Sequence, residues 1–177
     1  MCCSVIFRDN EIKRGVDDIT METFRIRPAE ADDIPALAAI DAECFSEPWS
    51  EGGFAGFLSE DAAVCAVAEE DGRVVGYAGM LVSFGDGDIT NIAVTADHRR
   101  RGIASGLIRG LSRTPGVTRL LLEVRESNAG ARALYEREGF VIDGRRRNFY
   151  SHPREDAVLM SLSCGGNGDT LCCPDVR

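Results

Sequence analysis

Residues 63–82, AVCAVAEE-DG-RVVGYAGMLV, constrain the fold more than any other stretch. Asp71-Gly72 supplies the positive φ angles of a tight two-residue turn, so the apolar runs on either side return on each other as antiparallel strands. A third strand over residues 88–94 extends this meander. A first strand is expected over residues 23–27. Asp32 then caps a helix whose apolar residues Ile34, Leu37, Ala38 and Ile40 follow helical spacing, and a shorter helix after Ser50 carries Phe54, Phe57 and Leu58.

Beyond the meander the pattern predicts a helix over 103–113, a strand over 118–124 and a helix over 128–138. Gly139 can end that last helix in a left-handed conformation. Two final strands follow, over 140–150 and 155–162. The order is strand, two helices, three strands, helix, strand, helix, two strands. It specifies an α+β chain, an α/β sandwich around a mixed central sheet.

The chain has 177 residues, 44% of them hydrophobic, enough for one domain with a sizeable core. The folded unit is read as residues 22–163. Residues 1–21 show little periodicity before Met21 and are expected to be a disordered extension or an over-early start. Residues 164–177, rich in Gly, Asp and Pro, are expected to be a loose tail. With 20 Lys+Arg against 29 Asp+Glu, the net charge of −9 speaks against nucleic-acid or anionic-membrane binding and favours cationic partners. No run approaches the ~20 apolar residues that cross a bilayer, and no signal pattern is recognisable, so a soluble, cytoplasmic protein is expected.

Seven cysteines lie at Cys2-Cys3, Cys44, Cys65, Cys164 and Cys172-Cys173, without the C-x2-C spacing of a zinc site. Free thiols in a reducing compartment are the plain reading, and a clip between the two Cys-Cys ends is the alternative. His98 and His152 have no ligand-spaced partners. No metal is expected.

Against the acidic balance, Arg99, Arg100 and Arg101 stand directly before Gly102-Ile103-Ala104, between an apolar strand and an amphipathic helix. The first amides of such a helix have no acceptor within it and, with the helix dipole, form an anion site. Gly102 lets a phosphate approach the backbone, Ala104 keeps the helix start open, and the arginines add charge. A solvated basic turn is the competing reading of this motif alone.

Downstream, Glu123 shares one face of its strand with Leu121 and Arg125, among apolar neighbours. Asn128, Ala131 and Tyr135 make one stripe on the next helix, able to face the same ligand. A carboxylate whose pKa is raised by apolar surroundings can take a proton from an amine, and a tyrosine hydroxyl can return one to a leaving group. Taken alone, Glu123 reads equally as half of a surface ion pair, with Arg125 for instance, and Tyr135 as core packing.

The strand ending Asn91-Ile92-Ala93-Val94 followed by R/Q-x-x-G-x-G/A resembles the acetyl-CoA loop of the GNAT superfamily of N-acetyltransferases. Pro48-Trp49-Ser50, LEVRESNAGARALYEREGF and RRNFYSHPREDAVLM, in this order across nearly all of residues 23–162, are similar to its ribosomal-protein-alanine N-acetyltransferase group. The resemblance implies six to seven strands flanked by about four helices, and acetyl-CoA as cosubstrate. It implies that the backbone of Ile92, Ala93 and Val94 holds the pantetheine arm and that the amides of Arg100, Arg101, Gly102, Ile103, Ala104 and Ser105 hold the pyrophosphate. Asn128 would contact the cofactor, Glu123 would be the general base and Tyr135 the general acid. The acceptor it implies is a protein N-terminus, that of a basic small-subunit ribosomal protein beginning with alanine.

An α-amino group, with a reference pKa near ~8 against ~10.4 for lysine, needs only a modest base at neutral pH. Trp49 and Tyr150 are candidate walls of the acceptor groove, and Asp88 is a second carboxylate for the incoming amine. Arg145, Arg146 and Arg147 read either as acceptor contacts or as a solvated hairpin face. Ser46-Glu47 are extra relative to the group, in the segment that shapes the acceptor groove. Acetylation of a small amine or a lysine, a non-catalytic coenzyme A module, and a scaffold subunit remain as rival readings.

Overall fold

The computed structural model describes residues 16, 19–20 and 23–165. In chain order these form β1 (Ile19–Thr20), β2 (Arg25–Pro28), α1 (Ile34–Cys44), α2 (Glu51–Ser59), β3 (Ala63–Glu70), β4 (Arg73–Ser83) and β5 (Asp86–Val94). There follow α3 (Ile103–Ser112), β6 (Arg119–Arg125), α4 (Ala129–Arg137), β7 (Val141–Ser151) and β8 (Arg154–Ser163). The Asp71-Gly72 turn has the required positive φ at both residues, 50° and 74°. Gly139 likewise ends α4 at φ 94°.

All eight strands lie in one sheet, in the order β1-β2-β3-β4-β5-β6-β8-β7. Every neighbouring pair is antiparallel except β5 and β6, which α3 connects as a crossover. The helices cover both faces. Ile103, Leu107, Ile108 and Leu111 of α3 pack with Ile26, Met80, Leu120 and Met160 on one side. Leu37 and Ile40 of α1 and Phe54 and Phe57 of α2 pack with Val67, Tyr77 and Ala93 on the other. Along β3, Ala66 and Ala68 enter the first cluster while Cys65 and Val67 enter the second, which is why this strand is apolar without alternation.

The geometry that opens the molecule lies at the centre of the sheet. β5 pairs with β6 only at Asp86↔Arg119, Gly87↔Leu120 and Asp88↔Leu121. Immediately beyond, a bulge against β4 puts Thr90 between Ile89, which faces Met80, and Asn91, which faces Gly79. A bulge bends its strand. β5 therefore follows β4 while β6 follows β8, and the sheet parts between them.

Two expectations need correcting. The cap of the first helical segment is built by Asp33, not Asp32: Asp33 Oδ2 accepts from the Glu30 amide at 2.8 Å, and Arg27 grips the same carboxylate at 2.7 and 2.9 Å, which holds it below the usual range against the opposing effect of burial. The expected mixed sheet flanked by four helices is present, and Ile19–Thr20 adds a two-residue edge strand against Ile26 and Arg25. With Val16 buried at 4% exposure, these parts of the expected extension are attached to the fold. Cys2-Cys3 and Cys172-Cys173 lie outside the described residues; Cys44, Cys65 and Cys164 are free thiols.

Asp41 of α1 is 0% exposed. Its carboxylate accepts from the Trp49 amide at 2.6 Å, from Asn91 Nδ2 at 3.3 Å, and from the Tyr77 hydroxyl in a short contact. A buried anion persists only when its lone pairs are satisfied, and here three elements satisfy them. Asp41→Ala should lower unfolding stability by about 3 kcal/mol, because one buried and two partly buried donors lose their acceptor at once. Urea titration should show a lower midpoint with an unchanged slope, and a midpoint equal to wild type would refute the role.

Candidate active site

The parting of β5 and β6 leaves the β6-facing edge of Ile92, Ala93 and Val94 without a strand partner, while β4 pairs the opposite edge at Ala78, Tyr77 and Gly76. These three residues line a cleft of about 750 Å³ that runs between the start of α3 and one face of α4. The Val94 carbonyl already accepts from Arg99 Nε at 3.0 Å and from the Cys44 thiol at 3.6 Å.

At the end of the cleft the backbone becomes an anion cradle. Arg100 and Gly102 both have positive φ, 63° and 84°, and Gly102 is the N-cap of α3 without any side-chain cap. The first intrahelical bond is Gly106 to Gly102. The amides of Ile103, Ala104 and Ser105 therefore have no acceptor within the helix, and all three residues line the cleft with Arg100 and Gly102.

Arg101 departs from the rest. Its guanidinium turns to the Glu70 carboxylate, bonding one oxygen at 2.9 Å and the other more closely, and it does not line the cleft. His98 joins the same carboxylate through Nε2 at 3.1 Å while Nδ1 lies 2.9 Å from Thr95 Oγ1, so it is a half-buried bridge rather than a surface histidine. Of the arginine run, Arg100 and Arg99 reach the cleft.

The helix α4 supplies the opposite wall. Asn128 lines the cleft and caps α4, its Oδ1 accepting from Ala131 N at 3.1 Å. Tyr135 stands against Phe140 with ring centroids 5.6 Å apart. Burial pushes its hydroxyl up to about 12. The face is broader than the Asn128, Ala131, Tyr135 stripe: Leu134 and Arg137 also line the cleft, and Arg137 donates to Ser105 Oγ at 3.2 Å. The sequence did not point to Arg137, Cys44 and Phe45 as cleft residues. Arg137 is off the stripe and reaches the cleft only through its long side chain, and Cys44 and Phe45 arrive from the end of α1 on the other side of the sheet.

Glu123, Asp88 and Tyr150 form a separate group beyond the cleft lining. Asp88 pairs in register with Leu121, and Glu123 follows two residues on, so both carboxylates stand on one face where β5 and β6 part. Glu123 is not enclosed by apolar groups: its Oε1 lies 2.7 Å from Arg146 Nη1 and its side chain is 29% exposed. The ion-pair partner is Arg146, because Arg125 is taken up by Glu155 at 3.3 Å and by the Tyr150 ring, 4.1 Å below its guanidinium. Tyr150 donates to the Glu123 carbonyl at 3.3 Å, and burial raises its hydroxyl. Burial also raises the Asp88 carboxyl, with the Arg146 charge opposing. Trp49 is half-buried, its ring 5.5 Å from Phe54 and 5.4 Å from Phe57, so it braces the loop between α1 and α2. Among the described residues no three His, Cys, Asp or Glu side chains gather as a metal site, and no helix is long and apolar enough to cross a membrane.

A mixed sheet split beside a parallel crossover, with bare helix amides at one end of the split and a half-buried tyrosine along it, makes a cleft suited to an elongated ligand with an anionic end. The chain belongs to the acetyltransferase (GNAT) family, which residues 34–140 match. It is 37% identical over 142 residues to the ribosomal protein bS18 alanine N-acetyltransferase of Escherichia coli K12, covering 77% of this chain and 95% of that one. An N-alpha-acetyltransferase of Sulfurisphaera tokodaii is 31% identical over 167 residues, covering 85% and 96%. The crystal structure of the ribosomal-protein-S18-alanine N-acetyltransferase from Escherichia coli superposes with a TM-score of 0.73 at 34% identity, covering 84% of this chain and 98% of that one.

The chain has three tyrosines, and burial or its hydrogen bond raises each above the ordinary value of 10.0. A folded-state pKa above the unfolded one means that the native state holds its proton longer. The stability this represents is intact below pH 10 and is lost as pH rises through the folded value, about 12 for Tyr135. Absorbance titration should show tyrosine ionisation in the folded protein displaced above pH 10, that of Tyr135 to about 12. Ionisation of all three tyrosines at the ordinary value in the native state would contradict these upward shifts.

Proposed function

We propose that the chain transfers the acetyl group of acetyl-CoA to the α-amino group of a protein N-terminus, with the N-terminal alanine of a basic small-subunit ribosomal protein as acceptor. The observation that carries this reading is the split between β5 and β6, which has an anion cradle at one end and two carboxylates on one face where it begins. The similarity to the bacterial alanine N-acetyltransferases, which covers 77% of this chain, supports the acceptor class.

The cleft suits the cosubstrate by its chemistry: exposed amides with Arg100 for a diphosphate, and the open edge of Ile92, Ala93 and Val94 for an amide-bearing arm. Bound there, acetyl-CoA supplies the activated acetyl group. In this reading Arg101 contributes its backbone, while its side chain braces the loop through Glu70. Glu123 takes a proton from the incoming ammonium group, directly or through a water, and leaves it nucleophilic. Tyr135, kept neutral by burial, gives its hydroxyl proton to the departing sulfur. Asp88, Trp49 and Tyr150 border the path of the acceptor chain. The net charge of −9 favours encounter with a basic protein.

The test is release of free coenzyme A from acetyl-CoA with short peptides that differ at their first residue, each with a free and a blocked N-terminus. Peptides starting with Ala or Ser should turn over, and blocking should abolish it. Glu123→Gln and Tyr135→Phe should each lower kcat by ~10²-fold, the scale of one lost proton transfer. Turnover of lysine side chains or small amines in preference to α-amines would overturn the acceptor assignment.

A further inference from the structure

Arg146 stands at the point where an acceptor's positive charge has to arrive. Its Nη1 lies 2.7 Å from Glu123 Oε1, and its charge also acts on Asp88, so one guanidinium answers both carboxylates of this face. The reach follows from register. Arg146 pairs with Ala157, and Ala157 pairs in turn with Arg125, two residues from Glu123 on β6. Paired residues of adjacent strands share a face, so Arg146 and Glu123 stand on the same side of the sheet. On this face β8 presents Ala157 opposite Arg146 and Leu159 opposite Glu123, and the guanidinium crosses β8 to reach the carboxylate.

The contact is made to be exchanged. Arg146 keeps 55% of its side chain in solvent, and its other neighbour is the Phe149 ring, 5.0 Å from the guanidinium. The residue lies where the β7–β8 ladder breaks, the register shifting between Arg146 and Tyr150 around Asn148 at φ 51°. Arg145, by contrast, is paired with Glu126, and Arg125 is fixed by Glu155 and two carbonyls.

We propose that Arg146 is a stand-in cation, its guanidinium occupying the place on Glu123 that the acceptor's α-ammonium group takes. This rests on the reading of Glu123 as the carboxylate that meets the amine. Before the acceptor binds, Arg146 offsets the repulsion between Glu123 and Asp88. When a charged N-terminus enters, one cation replaces another at the carboxylate. An acceptor without that charge has nothing with which to displace the guanidinium. Arg146 thereby determines specificity at the first step of recognition.

The measurement is calorimetric binding, to the coenzyme A-loaded protein, of a short peptide beginning with alanine and of the same peptide with a propionyl group in place of the alanyl residue. Arg146→Met removes the charge on a surface side chain. It should tighten the alanyl peptide by about threefold or more, the scale of a partly exposed ion pair, and leave the propionyl peptide unchanged. Arg146→Lys should stay near wild type. Weaker binding of both peptides by Arg146→Met would make Arg146 a direct peptide contact, and equal binding would make it a solvated charge; either overturns the proposal while acetylation by the wild type still stands. If the wild type acetylates no peptide with a free N-terminus, the acceptor assignment falls and this inference falls with it.

Discussion

The early end of the β5–β6 ladder is the constraint on which the rest of this structure depends. Three parallel pairs hold the two strands together, and the bulge at Thr90 then turns β5 away. Had the ladder continued, the backbone of Ile92, Ala93 and Val94 would be spent on β6 and the sheet would be closed. Because it stops, the strand keeps one bonding edge open inside the protein, where an unpaired backbone is tolerated only if a ligand or water satisfies it. The helices on both faces keep the split from collapsing: α3 packs against one side of the sheet, and α1 and α2 pack against the other.

Charge is distributed around this split with a division of labour. At the cradle the attraction for an anion comes from backbone amides held open by left-handed Arg100 and Gly102, and the side chains act around them. Arg101 and His98 are tied to Glu70, and Arg99 is tied to the Val94 carbonyl and Cys44. Of the three arginines in the run, Arg99 and Arg101 thus fasten the loop before α3, with His98 beside them. At the other side Arg146 pairs with Glu123 and acts on Asp88, while Arg125 pairs with Glu155.

Asp41 links the two functions mechanically. Its carboxylate joins the amide of Trp49, in the loop before α2, to Tyr77 on β4 and to Asn91, one residue before the open edge of β5. The loop proposed to border the acceptor and the strand proposed to hold the donor are therefore referred to one buried anion. The anchoring at Trp49 leaves Ser46 and Glu47 on the exposed side of this loop.

The sequence by itself determined the order and type of the elements, since these follow from local rules: Asp71-Gly72 dictates a hairpin, helical spacing dictates α1 to α4, and Gly139 ends α4. It also marked the turn before α3 as a place of bare helix amides, because the first amides of any helix have no acceptor within it, and the motifs around Glu123 and Tyr135 carried the family. Only tertiary structure decided which charges meet. Arg101 finds Glu70 thirty-one residues away, Arg146 finds Glu123 across an intervening strand, and Asp41 collects partners from three elements. Spacing along a chain says nothing of such pairs, because long side chains choose partners by distance in space and by what else is buried beside them. For the same reason the expected enclosure of Glu123 became an ion pair, and the face that Arg137, Cys44 and Phe45 complete became visible only when α1, α3 and α4 were brought around one gap.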